Sequence, residues 1–114
     1  MIPLKKDYMI EKIRKAASKK IVYTPHAVIQ ITNLERMIEP DEIRKVINTG
    51  EIVENYPYDM RGNTSLIFGR GTNNRPIHVV CTPSDFCLMI ITAYIPSEIK
   101  WSPDFKTRET TWSV

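Results

Sequence analysis

The chain has 114 residues, of which 42% are hydrophobic, 25% charged and 9% aromatic. This length fits one domain, and the apolar fraction allows a packed core, which argues against a wholly disordered chain. The formal net charge of +3 describes only a mildly basic protein. We therefore predict a single domain that extends over residues 1–114.

The basic charge is concentrated near the N-terminus. Residues 1–20 contain seven basic and two acidic side chains, a net charge of +5, which leaves −2 for the other 94 residues. A basic helix can meet RNA phosphates or an acidic protein partner, and it is equally typical of an ordinary solvated face. No apolar stretch reaches the ~20 residues of a membrane span, and a secretory signal is not evident. We expect a cytoplasmic protein.

Helical spacing predicts a first helix from Lys5 to Ser18, whose apolar positions are Leu4, Tyr8, Met9, Ile13, Ala16 and Ala17. This basic N-terminal helix precedes a short extended segment, Lys20–Tyr23. Thr24 and Pro25 then form a helix start, as an N-cap followed by proline at the first helical position.

The second helix is predicted to end before Pro40 and to place three apolar residues inward, namely Ala27, Ile31 and Leu34. A third helix begins at Pro40, has acids in its first turn and stops at Gly50. Its predicted buried stripe is formed by Ile43, Val46 and Ile47.

After Glu51 the apolar period changes to two and predicts four strands, namely Ile52–Tyr56, Ser65–Arg70, Ile77–Cys81 and Leu88–Ile95. Turn residues connect them in sequence, which favours an antiparallel meander. The C-terminal segment, residues 97–114, has no period, and we expect its aromatic side chains to pack across the sheet. Helices followed by strands indicate an α+β fold with a four-stranded antiparallel sheet and a C-terminal aromatic tail.

Strand alternation sorts the central side chains into two faces. In the third predicted strand, His78 and Val80 share one face, and their odd-numbered neighbours share the other. In the last strand, alternation groups Tyr94 with Thr92 and, further back, with Ile90 and Leu88, opposite a set formed by Cys87, Met89, Ile91 and Ala93. If the helices cover one face, the other is exposed and carries His78 and Tyr94, with Arg75 at its entrance.

A histidine, a tyrosine and an arginine near one sheet surface can form a metal-free site for cleavage of a phosphodiester. The reaction needs a proton acceptor, a proton donor and a cation for the phosphorane charge. We predict His78 and Tyr94 as the proton carriers and Arg75 or Arg70 as the phosphate ligand. Alternatively, the histidine bonds a neighbour, the tyrosine is only a strand former, and both arginines are solvated charges beside a turn.

Other chemistries lack their residues. The two cysteines, Cys81 and Cys87, are interpreted as small reduced core residues, with a disulfide as the alternative. No Cys-x-x-Cys pair is present, so we predict no metal and no cofactor. Phosphate-binding glycine loops and a Gly-x-Ser-x-Gly motif are also absent. The acids Glu51 and Glu54 at the entry of a strand have no partner that the sequence identifies.

Several short motifs, in their order and spacing along the chain, resemble the family called domain of unknown function 4258 over about residues 20–108. The matching segments are His26-Ala27, Asp41–Ile43, Gly50–Pro57, Asp59, Leu66–Gly69, Arg75–Val80, Ile90–Pro96 and Trp101–Phe105. We delimit a family-like core at residues 21–108. The family looks related to the RelE/ParE superfamily of small toxins, including BrnT-like ribonucleases, which implies a RelE-like fold and a cognate antitoxin.

By this resemblance the carried-over positions are His26, Arg75, His78, Tyr94, Trp101 and Asp104. The resulting hypothesis is a prokaryotic, toxin-like, metal-independent endoribonuclease with catalytic His78, His26 and Tyr94. The predicted substrate-binding residues are Arg75, Arg70, Trp101 and Arg108. Two alternatives to the ribonuclease hypothesis remain open. One is a non-catalytic module of the same fold that binds protein or nucleic acid, and the other is a structural protein that oligomerises through exposed Trp101 and Trp112.

Overall fold

The structure is a computed structural model that describes residues 5–109, with side chains from Asp7 onward. Its helices are α1 (Lys5–Lys19), α2 (Pro25–Ile31) and α3 (Pro40–Thr49). Its strands are β1 (Ile21–Tyr23), β2 (Glu51–Asp59), β3 (Gly62–Arg70), β4 (Pro76–Pro83) and β5 (Leu88–Tyr94). A single 3₁₀ turn at Thr72–Asn74 connects β3 to β4.

The strands form one sheet with the order β1-β5-β4-β3-β2, and the predicted α+β class is confirmed. The prediction of four antiparallel strands is wrong, because the sheet has five strands and is mixed. The extra strand is the short extended segment before α2. Ile21–Tyr23 pairs in parallel with Leu88–Ile90, and the chain between them supplies both crossover helices and the antiparallel meander.

The three helices cover one face of the sheet, which we call the helix face. Their buried side chains join those of the strands in one aliphatic core, in which the largest fully buried members are Ile13, Ile43, Ile47, Ile67, Ile77, Leu88 and Ile90. Burying such side chains stabilises the fold by roughly 1.5–3 kcal/mol each. The predicted stripe of α3, Ile43, Val46 and Ile47, is confirmed because all three are fully buried.

Two apolar residues expected inside are on the surface. Leu34 is 85% exposed because α2 ends at Ile31 and the chain turns through residues 33–37, with Met37 at a positive φ of 37°. Tyr8 on α1 is 63% exposed, whereas Ile13 is confirmed in the core. Leu4, the first residue of that predicted stripe, lies outside the described residues.

A bulge in β5 overturns the predicted alternation of that strand. Val80 pairs with Thr92, but the next residue, Cys81, pairs with Ile90, so Ile91 is an extra residue in the ladder. Leu88 and Ile90 therefore point into the helix-face core, while Tyr94 lies opposite His78 on the other face. The sequence placed all of these β5 residues on one face because an inserted residue leaves no mark in simple alternation.

The second face of the sheet is covered by the tail, residues 97–109, and we call it the tail face. Trp101 and Phe105 are buried against Leu66 and Phe68 of β3, which confirms that the tail packs across the sheet through its aromatic side chains. The expectation of an exposed second face is wrong, since His78 has no exposed surface. The rest of the predicted tail, residues 110–114, lies outside the described residues.

Candidate functional site

His78 is the buried centre of the tail face. Its Nε2 lies 2.8 Å from the backbone oxygen of Phe105, and its Nδ1 lies 3.3 Å from the hydroxyl of Tyr94. A carbonyl only accepts hydrogen bonds, so Nε2 carries the proton and, in the neutral ring, Nδ1 accepts from the Tyr94 hydroxyl. Burial lowers the pKa of His78, although the Phe105 carbonyl and the charge of Glu54 act to raise it.

Tyr94 is the half-buried neighbour of this histidine on the next strand. It is half-buried on β5 and stands directly opposite His78 on β4, with the two rings edge to face at 5.3 Å. Burial raises the pKa of Tyr94 to about 12, while the nearby Arg108 acts to lower it. The hydroxyl therefore stays protonated at neutral pH and can donate to Nδ1, an imidazole nitrogen that can accept a proton.

A second polar group, from β2 and the tail, lies beside this pair. Arg108 binds Glu54 through two hydrogen bonds, from Nε at 2.7 Å and from a terminal nitrogen at 3.0 Å. The hydroxyl of Tyr56 donates to the same carboxylate. Burial acts to raise the pKa of Glu54, but the bonds from Arg108 and Tyr56 outweigh it, so the net shift is downward. The ionised carboxylate thus holds Arg108 at the rim of the tail face.

Trp101 has a supporting position in this arrangement. It is 3% exposed, packs edge to face on His78 at 4.4 Å, and carries the guanidinium of Arg108 over its ring at 4.8 Å. Such a cation–π contact limits the directions in which the guanidinium can point. The premise that Trp101 is exposed for oligomerisation is wrong, and Trp112, the other tryptophan of that hypothesis, lies outside the described residues.

Arg70 lies on the tail face but at its edge. Its guanidinium is 5.2 Å from the ring centre of Phe68 and 5.7 Å from that of Phe105, and it donates to the carbonyl of Asn74 at 3.2 Å. It is half-buried. The structure therefore keeps Arg70 on the same side of the sheet as His78, separated from it by aromatic rings.

Arg75 is held on the helix face, away from His78. It forms a salt bridge with the buried Glu42 of α3, at 2.6 Å and 3.0 Å, and donates to the carbonyls of Arg36 and Met37. Four of its five N–H donors are thus used within the protein. The hydrogen bond from Arg75 lowers the pKa of Glu42 to about 2 despite burial. The structure does not bring Arg75 to the histidine it was predicted to assist.

His26 is exposed in the first turn of α2. The preceding Thr24 caps that helix and ties it to β5 through the carbonyls of Ile90 and Ile91. The first turn of α2 therefore lies alongside the strand that carries Tyr94. No hydrogen bond joins His26 to Tyr94 or His78 among residues 5–109.

The main residues that the sequence did not assign are Glu54 and Tyr56, while Arg108 was predicted without its partner. Glu51 and Glu54 find basic partners in the tail, because Lys106 reaches Glu51 at 2.6 Å and Arg108 reaches Glu54. The available signal was the presence of two acids, Glu51 and Glu54, and of two bases, Lys106 and Arg108. It could not be used without knowing that the tail crosses β2.

The two cysteines do not form a disulfide. Both cysteines are free, and only Cys81 is a fully buried core residue, whereas Cys87 is half-buried. Burial raises the pKa of the Cys81 thiol to about 12. Within residues 5–109 no three His, Cys, Asp or Glu side chains are grouped closely enough to hold a metal ion. No helix in the same range is both long and apolar enough to cross a bilayer.

The chain belongs to the family described as domain of unknown function DUF4258, which it matches over residues 23–95. This segment extends from the end of β1 to the residue after β5, so it includes His26, Arg75, His78 and Tyr94 but not the tail. No curated protein and no solved structure matches the chain significantly.

Proposed function

We propose that the chain is a metal-independent endoribonuclease of the toxin type, which cleaves RNA at the tail face. The observation that carries the proposal is the contact of Tyr94 with His78 next to the pair of Arg108 and Glu54. This constellation offers a proton acceptor, hydroxyl donors and a cation within one surface. The resemblance to RelE/ParE-type toxins and BrnT-like ribonucleases supports RNA as the substrate and an antitoxin as the partner.

Tyr94 and His78 together act as the base. The attacking 2′-hydroxyl gives its proton to the Tyr94 oxygen while the Tyr94 proton passes to Nδ1 of His78, and the 2′-oxygen forms its bond to phosphorus. The imidazolium that results keeps its Nε2–H bond to the Phe105 carbonyl and is stabilised by the charge of Glu54. The buried histidine therefore needs no direct contact with RNA.

Arg108 binds the phosphate and neutralises the charge that grows on it. Its side chain is 56% exposed, and its bonds to Glu54 leave further N–H donors directed away from that carboxylate. Tyr56 protonates the departing 5′-oxygen as its bond to phosphorus breaks. Burial and the hydrogen bond to Glu54 raise the pKa of Tyr56, and Arg108 acts to lower it. His26 stays a predicted second proton carrier, and Arg70 a predicted contact for the RNA beyond the cleaved bond.

The test is cleavage of a fluorescent RNA by the purified protein in EDTA. We expect products with 2′,3′-cyclic phosphate and 5′-hydroxyl ends, and a loss of about 100-fold or more in Tyr94→Phe. Tyr58→Phe is the matched control, since Tyr58 is 97% exposed on β2 and its hydroxyl forms no hydrogen bond within residues 5–109. Loss of cleavage in EDTA, or a Tyr94→Phe variant as active as Tyr58→Phe, contradicts the proposal.

A non-catalytic binding module is the second candidate, and one observation favours it. Both ring nitrogens of His78 have partners, and Glu54 and Arg108 satisfy each other, as expected of a structural network. In that case RNA forms a salt-dependent complex with the protein and stays intact. The cleavage assay, run beside a binding titration at two salt concentrations, separates the two candidates.

A further inference from the structure

The tail contains one aromatic residue in an unfavourable backbone conformation. Phe105 has φ of 61°, in the left-handed region that glycine adopts easily and that residues with a Cβ, apart from asparagine and aspartate, rarely adopt. A residue kept there must be held by its surroundings, and such residues are concentrated at functional sites. At Phe105 the left-handed backbone coincides with the carbonyl that accepts from Nε2 of His78.

The conformation is imposed by a closed turn over residues 102–107. The carboxylate of Asp104 accepts from the Ser102 hydroxyl and, at 3.0 Å, from the backbone N–H of Lys106. Ser102 also exchanges backbone bonds across the turn, donating to Thr107 at 2.8 Å and accepting from Phe105 at 2.8 Å. Asp104 thus connects the residues on both sides of Phe105.

The ends of this turn are fixed to each other and to the sheet. Trp101 and Arg108 form an antiparallel bridge, and Glu109 donates to the carbonyl of Lys100 at 2.9 Å. The Phe105 ring stacks on Phe68 at 6.2 Å, with 25° between the ring planes. The carbonyl of Phe105 therefore has a defined position above His78.

We propose that Asp104 is a positioning residue that, through Phe105, fixes the proton of His78 on Nε2 and leaves Nδ1 for Tyr94. The inference rests on the proposed function for its catalytic meaning, because only the Nδ1-accepting tautomer lets Tyr94 pass on a proton. It assigns a task to the exposed carboxylate of Asp104, whose hydrogen bonds lie within its own turn. It also gives a reason for the left-handed backbone of Phe105.

The experiment measures the tautomer directly, by long-range ¹H–¹⁵N correlation of histidine-labelled protein. His26 is the only other histidine in the sequence and serves as an internal reference. We expect the Nε2–H form for His78 in the unmodified protein and its loss as the dominant form in Asp104→Ala. Asp104→Asn should restore it, since an asparagine oxygen accepts the same turn bonds. Asp85→Ala, in the exposed loop between β4 and β5, is the matched control.

A second pair of variants tests the backbone of Phe105 even if Asp104→Ala fails to fold. Phe105→Gly removes the ring but adopts a left-handed backbone easily, so the Nε2–H form should remain. Phe105→Val keeps an apolar side chain but resists that backbone, so the Nε2–H form should be lost. The inference is overturned if Asp104→Ala retains the tautomer, or if Phe105→Val keeps it and Phe105→Gly loses it.

The cleavage assay then separates this inference from the proposed function. If RNA is cleaved, Asp104→Ala should lower kcat at least about tenfold and Asp104→Asn should restore it. If the unmodified protein does not cleave RNA, the proposed function fails, and the tautomer measurements still decide the role of Asp104. If cleavage occurs and the tautomer does not respond to Asp104, only this inference fails.

Discussion

Two glutamate–arginine pairs lie on opposite faces of the sheet and share the same two-bond geometry, but they differ in burial and in the number of other internal bonds. On the helix face, the Glu42 side chain is 5% exposed, and Arg75 uses four donors to join α3, the preceding loop and the start of β4. On the tail face, Glu54 is 22% and Arg108 56% exposed, beside the polar contact of Tyr94 with His78. Burial and the number of internal bonds therefore distinguish a structural arginine from one available to a ligand.

The difference also shows why residue type alone is a poor guide to function. Arg75 and Arg108 were both predicted to bind substrate. Arg75 precedes a strand whose odd-numbered residues point at the helices, so it is directed into the interior by the same alternation that directs His78 to the other face. Arg108 reaches the site only because the tail folds back across β2.

The largest expected effect is on stability, from removal of the buried arginine. Arg75→Gln should lower the free energy of unfolding by about 3 kcal/mol, because Glu42 is left buried without its counter-charge. Urea denaturation measures this change. Arg61→Gln is the control, since Arg61 is exposed and pairs with Asp59 in its own turn, and it should cost less than about 0.5 kcal/mol. Equal losses in the two variants would contradict the structural role of Arg75.

Low pH should protonate Glu42 and so break its salt bridge with Arg75. The pKa of Glu42 is lowered from 4.5 to about 2 by the hydrogen bond from Arg75, so its stabilising contribution is complete above pH 4.5 and is lost as pH falls toward 2. The contribution is about 3 kcal/mol, from the size of that shift. Urea denaturation at pH 6 and pH 2.5 should show a smaller loss for Glu42→Gln than for the unmodified protein, and parallel losses would refute the assignment.

A smaller stability effect is expected on the tail face. Arg108→Gln should lower the free energy of unfolding by no more than about 1 kcal/mol, because an exposed ion pair is screened by water and salt. The difference should shrink further in 0.5 M salt, which the same denaturation experiment can follow. A loss as large as that of Arg75→Gln would mean that the two pairs have the same structural role.

The last prediction concerns the accessibility of the two cysteine thiols and involves no change in stability. Cys81 is fully buried with its thiol pKa raised to about 12, and Cys87 is half-buried near the hairpin loop. Thiol labelling at pH 8 should therefore modify Cys87 in the native protein and both cysteines in urea. Mass spectrometry of the labelled peptides identifies the sites, and rapid native labelling of Cys81 would contradict its burial.

The sequence allowed the fold class to be predicted because helical and alternating periods are local. The buried stripe of α3 and the two faces of β4 followed from spacing alone. The parallel pairing of β1 with β5 joins residues 67 positions apart, and the bulge at Ile91 reverses a face without changing composition. Neither feature has a local signal.

The candidate site was predictable in part for the same reason. His78 and Tyr94 came together as expected because neighbouring strands of a meander place facing residues side by side. Glu54 and Tyr56 could not be included, because their partner Arg108 belongs to a segment without any period. The fold of such a tail is decided by tertiary packing of Trp101 and Phe105, which spacing does not describe.

The most direct test compares the cleavage of RNA by Arg108→Gln and Arg75→Gln in EDTA, each normalised to its folded fraction. We expect Arg108→Gln to lose about 100-fold or more in kcat/KM, because it removes the exposed cation that we propose as the phosphate ligand. Folded Arg75→Gln should cleave RNA at the unmodified rate. Normal cleavage by Arg108→Gln together with inactive, folded Arg75→Gln would contradict the placement of the site on the tail face.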